Sequence, residues 1–288
     1  MRAAVFGRDF FGQQYYRILS EKIGKKNVSI IDRVQDCHKA DVLALSGAGN
    51  CTFQNIAHAM RKGVHVIAEQ ITDATPEKVK TIQGLSGRFN LKVAMGGIEQ
   101  FNPVVRKAKE LLGTDKIISM EAVRFGPHDP SRKAHILYDI MVHDLPVIGL
   151  LNPSPILGVK AFSTNITDNL TVFLRHKHGT SILRSSRSPM YKERRFAIYA
   201  QKSTIEADYI KQEILFSRVS SEYEISLAKI GYLSKRQVFI EKEEPLKAMI
   251  SDFLDSIGTK RNIMPWKSVR GFYTLCTRIE DNLNIGRD

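Results

Sequence analysis

VAMGGIEQFNPVVRKAKELLG (Val93–Gly113), IISMEAVRFGP (Ile117–Pro127) and LYDIMVHDLPVIGLL (Leu137–Leu151) follow one another closely, and their reading decides the fold. The first begins as a buried strand, passes a glycine pair and enters an amphipathic helix with Pro103 at its start. The second alternates with period two, as a half-buried strand does. The third reads as one helix carrying Asp139 and His143 at i, i+4, which would place both side chains on one face within reach of each other. A βα pattern therefore ends here and a strand-rich pattern begins. The expected organisation is a dinucleotide-type domain over residues 1–115 and an α+β domain over residues 116–288.

Working back toward the N-terminus, RAAVF (Arg2–Phe6) is a buried-strand run, and GRDFFG (Gly7–Gly12) is a turn into a helix ending near Lys25. Strand, glycine turn and helix open a nucleotide-binding unit, in which N–H groups at the helix start hold a pyrophosphate. Gly7 and Gly12 stand at the outer positions of GxGxxG, but Asp9 holds the middle one. A carboxylate there obstructs close backbone approach and repels phosphate, so the turn is equally readable as an ordinary strand-to-helix connection. VSIID (Val28–Asp32) and ADVLALSG (Ala40–Gly47) are further strands, and Asp32 lies about 20 residues past Gly12, where a ribose-binding acid belongs. The connection between those two strands is shorter than the roughly 10 to 12 residues of a helical crossover, which counts against that role. NCTFQNIAHAMRKG (Asn50–Gly63), VHVIAEQI (Val64–Ile71), TPEKVKTIQGLSGRF (Thr75–Phe89) and LKVAMGG (Leu91–Gly97) continue the alternation of helix and strand. The fold class expected is α/β joined to α+β: a shortened Rossmann-like parallel sheet, then an open, mostly antiparallel sheet with helices on one face. That second sheet is read from ILGVKAF, NLTVFLRHKHG, TSILRSS, ERRFAIYAQ and STIEADY, and helices are expected over Pro245–Ile257 and Val269–Leu283.

Composition limits the function classes. The 288 residues carry 43 Lys and Arg against 30 Asp and Glu, a net charge of +13, which suits anionic ligands such as nucleotides and sugar phosphates. No aromatic-interleaved basic motif accompanies the charge, so nucleic acid is not the expected partner. The 3 cysteines lack metal-ligand spacing, and no metal is expected. No signal-peptide pattern opens the sequence, and no run approaches the roughly 18 apolar residues of a membrane span. The expectation is a cytoplasmic protein without a membrane partner.

Four segments then carry a resemblance. GVHVIAEQI (Gly63–Ile71), GGIEQFNP (Gly96–Pro103), DIMVHDLP (Asp139–Pro146) and EKEEPLKAMISDFLDSI (Glu241–Ile257) resemble the GKHVxxEKP, GxIERFNP, DxxxHDxD and KxEPLxxELxxF segments of the oxidoreductase family named for glucose-fructose oxidoreductase, inositol dehydrogenase and MocA. The forms look nearest to its sugar-nucleotide dehydrogenases. The resemblance implies an NAD- or NADP-dependent dehydrogenase acting on a sugar or sugar nucleotide, and a homodimer or tetramer formed through the C-terminal sheet. His143 would be the general acid or base, because imidazole titrates near neutral pH, and Asp139 would orient it. Gln70 stands where the family has its EKP lysine; it can hydrogen-bond but cannot exchange a proton. Gly7, Arg8, Phe11, Gly12, Ser46, Glu69 and Gly97 are the expected cofactor-binding residues. Glu99, Asn102 and Asp144 are the expected substrate-binding residues, although Glu99 and Asn102 serve equally well as caps of the helix at Pro103.

The departures from the family pattern fall on one site. A strand and helix of the usual nucleotide domain are expected to be absent between the first helix and VSIID, which would leave VSIID at a sheet edge. With Asp9 and Gln70 added, cofactor affinity is expected to be weak or absent. The alternative function is a non-catalytic ligand sensor or scaffold.

Overall fold

The computed structural model describes residues 1–47, 49–69, 71, 73–127, 135–229, 234–261, 263 and 266–283, with only the backbone of Leu227 and Ala228. It divides into two compact units, Met1–Ile98 with Pro245–Leu275, and Glu99–Glu244 with Cys276–Asp288.

The first unit is built on β1 (Ala3–Phe6), α1 (Phe10–Ile23), β2 (Val28–Ile31), β3 (Val42–Leu45), α2 (Phe53–Arg61), β4 (His65–Ala68), α3 (Pro76–Phe89) and β5 (Val93–Met95). All the pairings are parallel, in the order β2-β1-β3-β4-β5. The apolar runs explain the parallel sheet: every residue of β3 is buried, as a strand covered on both faces requires. Helix starts follow local chemistry, with Thr52 and Thr75 accepting the N–H groups of Asn55 and Lys78, and Pro76 in the first turn of α3. His65 uses Nδ1 to accept the Lys92 N–H at 2.8 Å.

This sheet corrects the expected deletion. A strand-and-helix unit is lost, but not before VSIID: α1 leads directly into β2, and β2 pairs with β1, Phe6 opposite Ile31. The loss falls between β2 and β3, which are joined only by a 3-10 turn over Val34–Lys39. VSIID is at the edge, as expected, and the order is that of a doubly wound sheet without its outermost strand. Asp32 consequently follows the strand next to β1, where an acid facing a ribose stands in such sheets.

The second unit contains α4 (Pro103–Leu112), β6 (Ile117–Phe125), α5 (Ile136–Asp139), α6 (Leu145–Leu151), β7 (Ile156–Phe162), β8 (Asn169–His176), β9 (Thr180–Ser186), β10 (Glu193–Ala200), β11 (Ser203–Asp208), β12 (Glu213–Arg218), α7 (Glu222–Lys229) and β13 (Arg236–Val238). The strands form one sheet, β13-β12-β11-β10-β6-β9-β8-β7, antiparallel except where β6 meets β9. Alternation sorts its faces: Met120, Ala122, Val172, Leu183, Phe196, Ile198, Ile205 and Ile214 are buried on one side. Phe162, Phe173, Tyr199 and Leu215 are exposed on the other. The sequence reading missed β12, α7 and β13.

Two helices complete the fold. In α8 (Pro245–Ser256), Lys247 pairs with Glu21 of α1 at 2.8 Å. In α9 (Trp266–Leu283), Trp266, Val269, Phe272 and Tyr273 pack into the core of the first unit. Trp266 is thus a packing residue.

Candidate functional site

Two constellations of polar side chains stand out, one in each unit. In the first unit the turn after β1 is tightly packed. Gly7 has φ +137°, and a Cβ on it would lie 2.2 Å from Ser46 Oγ; a Cβ on Gly12 would lie 2.2 Å from the Gly7 carbonyl oxygen. Both positions therefore demand glycine, and they bring the start of α1 against the end of β1. The middle position is different. Asp9 is the N-cap of α1: its Oδ1 accepts the Gly12 N–H at 2.8 Å and the Ser46 hydroxyl at 2.7 Å. Its Oδ2 lies where a Cβ on Gly47 would be only 2.9 Å away. An internal carboxylate thus takes the first-turn donor that a pyrophosphate would use.

The remaining candidates of this unit surround that turn. Arg8 donates to Asp32 Oδ1 from Nε at 3.0 Å and from Nη2 at 2.8 Å, and both side chains are exposed, so the pair adds little stability. Phe11 is half-buried and edge-on to Phe10. Ser46 is buried, Glu69 follows β4, and Gly97, with φ +72°, follows β5. Tyr15 is buried, and its hydroxyl has no hydrogen-bond partner among the described residues. Its pKa is pushed well up, first by burial and then by Glu69, Cys51 and Asp9. Gln70 lies outside the described residues. The frame of the site suits a dinucleotide through Gly7, Gly12 and Asp32, but the phosphate seat does not: it already holds an anion.

In the second unit the candidates gather around a residue that the sequence reading did not single out. Arg124, on the inward face of β6, donates from Nε and Nη2 to Asp144 at 2.8 and 2.9 Å, and from Nη2 to Glu99 at 3.1 Å. Its guanidinium lies over the Tyr209 ring, 5.3 Å from the centroid. Burial disfavours the charge on Arg124, but Asp144 and then Glu99 outweigh it, and its pKa is raised. Asn102 donates to Glu99 Oε2 and to the Tyr209 carbonyl, while its own Oδ1 caps α4 by accepting the Val104 N–H. Glu99, Asn102 and Asp144 are all buried; their polar atoms serve Arg124 and the helix start. Tyr209 is buried, and burial first, then the Asp144 charge, pushes its hydroxyl pKa well up.

His143 adjoins this network, and its geometry corrects the expected helix. The segment is not one helix: α5 stops at Asp139, Ile140 takes φ −122° and ψ −58°, and Met141–His143 form a 3-10 turn before α6. The His143 N–H bonds to the Ile140 carbonyl, not to that of Asp139. Pro146 lies in the first turn of α6, where its missing N–H costs nothing, so it marks a new helix start rather than the interior of one continuous helix. Asp139 and His143 therefore do not share the face of one continuous helix; the Asp139 carboxylate accepts from buried Arg187. Nor does the imidazole titrate near neutrality. Burial first, then the Arg124 charge, lowers its pKa to about 3, with Asp144 and Asp139 opposing only in part.

Arg124 was detectable in the sequence. In IISMEAVRF it shares the parity of Met120 and Ala122, so an arginine stands in an apolar register, and a buried arginine requires carboxylates. Arg187 and Tyr209 lie just past strand ends and carry no such signal.

Neither a protein-family model nor a curated protein matches the chain. Solved structures do match in fold. UDP-N-acetylglucosamine 3-dehydrogenase GnnA from Acidithiobacillus ferrooxidans is 19% identical over 98% of this chain and 97% of its own, with a TM-score of 0.86. An NAD binding oxidoreductase from Klebsiella pneumoniae is 12% identical over 98% and 96%, with a TM-score of 0.81. A levoglucosan dehydrogenase solved with NADH is 13% identical over 98% and 96%, with a TM-score of 0.79. These are oxidoreductases of the type that the sequence motifs resemble. At such identities the likeness establishes the fold, a parallel nucleotide-type sheet followed by a larger mixed sheet.

Proposed function

We propose that the chain is a nicotinamide-dependent oxidoreductase acting on a hydroxyl or carbonyl group of a sugar or sugar nucleotide, with His143 handling the proton. The observation that carries this reading is the half-buried imidazole of His143, held neutral beside the Arg124 network in a chain that shares its whole fold with sugar dehydrogenases. A neutral imidazole has a lone pair that can accept the proton of a substrate hydroxyl. Carbonyl reduction would instead need an imidazolium, which burial and Arg124 both oppose, so the environment favours hydroxyl oxidation. A low pKa makes a weak base, and the rise in acidity of the substrate O–H as hydride leaves carbon is what would drive the proton onto it. Asp139, tied to Arg187, supports the turn that carries His143. Gln70 would supply a hydrogen bond and no proton. Glu99, Asn102 and Asp144 act by holding the Arg124 network in place.

The test is oxidation of UDP-sugars and free hexoses by the folded protein with saturating NAD or NADP, followed by absorbance of the reduced nicotinamide. Turnover with a sugar or sugar nucleotide is the expected result. If none of them is oxidised, the second reading replaces the first: a ligand sensor or scaffold without redox chemistry. Asp9 in the phosphate seat is the observation favouring that reading. Self-association belongs to the same proposal, because Phe162, Phe173, Tyr199 and Leu215 leave apolar surface on the outer face of the large sheet. Sedimentation should give a dimer or tetramer, and a monomer at micromolar concentration would remove that part.

A further inference from the structure

The unusual feature of the first unit is that its helix start is already satisfied. In a dinucleotide turn the middle glycine lets the backbone approach the pyrophosphate, and first-turn N–H groups donate to it. Here the Asp9 carboxylate receives the Gly12 N–H and the Ser46 hydroxyl and leans toward Gly47 with its other oxygen. Glu69 and Asp9 both act on the Tyr15 hydroxyl, so two carboxylates gather at this end of the sheet. The nearby cation, Arg8, is engaged by Asp32. The outer parts of a dinucleotide site, Gly7, Gly12 and Asp32, are nonetheless in their usual places.

We infer that Asp9 is an internal anion that occupies the pyrophosphate seat, so that a dinucleotide binds only when the Asp9 side chain leaves the α1 N-terminus. This rests on the cofactor class in the proposed function, but not on the substrate or the reaction. Asp9 then sets affinity through competition: the ligand's phosphate must displace a carboxylate that is covalently held in place and bonded to two donors. It also repels the phosphate by charge, and the two effects separate by substitution. Asp9→Gly removes charge and bulk, as in a complete glycine fingerprint, while Asp9→Asn removes the charge and keeps a good helix cap.

Calorimetric titration of wild type, D9N and D9G with NADH and with NADPH tests this, each protein first shown folded by circular dichroism. Wild type should bind weakly or below detection. D9G should bind at least about tenfold more tightly, the range expected when one or two charged-group hydrogen bonds become available to the ligand. D9N should fall between them, and it carries the test if D9G loses its fold with the cap. Wild-type binding as tight as that of D9G would overturn the inference, and so would folded variants that bind no better than wild type. Turnover is scored separately: restored binding without oxidation of any sugar would sink the proposed reaction and leave the role of Asp9 standing.

Discussion

His143→Asn is expected to lower kcat/KM for the oxidised sugar by about two to four orders of magnitude while the protein stays folded, the range for removal of a general acid or base. Asparagine preserves much of the ring's size and one donor but cannot take a proton. The pH profile is the more specific reading. With a pKa lowered to about 3, wild-type His143 should give no inflection between about pH 5 and pH 8, whereas an unperturbed imidazole would give one near 6.5. Stability must follow the same group. Between about pH 3 and about pH 6.5 the unfolded chain binds the proton and the folded chain does not, so stability from this group is complete above 6.5 and is lost as pH falls toward 3. Thermal unfolding at pH 7 and at about pH 4.5 should therefore fall more for wild type than for His143→Asn. Parallel losses in the two proteins, or a rate inflection near 6.5 that His143→Asn abolishes, would reject the half-buried neutral imidazole.

Fold and site differ in how far the sequence reveals them. The parallel sheet was legible because continuous apolar runs such as VLAL, bounded by glycine turns and capped helices, admit few arrangements. The large sheet was legible where alternation was clean, as in NLTVFLRH. It was missed at EILFSR and RQV, the last two strands at one end of the sheet, of which RQV is the three-residue edge. The break after Asp139 was misread because apolar spacing continues smoothly through it, and only Pro146 carried the contrary signal. Site residues were harder. Their roles depend on which partner each carboxylate meets, and Asp139, Asp144 and Glu99 all meet arginines distant in sequence. Asp9 was recognised as an obstacle to phosphate. That it would itself complete the helix start followed only from its distances to Gly12 and Ser46.

Arg124→Met should be the most destabilising single change in the second unit, lowering stability by about 3–5 kcal/mol, because it leaves two buried carboxylates without their cation. Asp144 is 2% exposed and Glu99 8%, so neither can recover its hydration without opening the structure. For a unit of this size the loss corresponds to a fall in Tm of about 10 °C or more. Arg124→Lys should lie between the two, since an ammonium keeps the charge but not the two-pronged contact to Asp144 or the guanidinium placed over the Tyr209 ring. The triple variant Arg124→Met, Asp144→Asn, Glu99→Gln should recover much of the stability, because the loss comes from uncompensated charge more than from the ion network's net strength. Thermal melts of the three proteins decide the point: an Arg124→Met protein within about 0.5 kcal/mol of wild type would show the network to be dispensable. Arg124 is also the largest charge lowering the His143 pKa. In Arg124→Lys that effect should persist. In the neutral triple variant the raising influence of Asp144 goes with the lowering one of Arg124 while burial, the largest cause, remains, so the imidazole should stay below its ordinary value and no rate inflection should appear near 6.5. Arg124 then holds the packing of the unit, and its charge adds to burial in keeping the candidate base neutral.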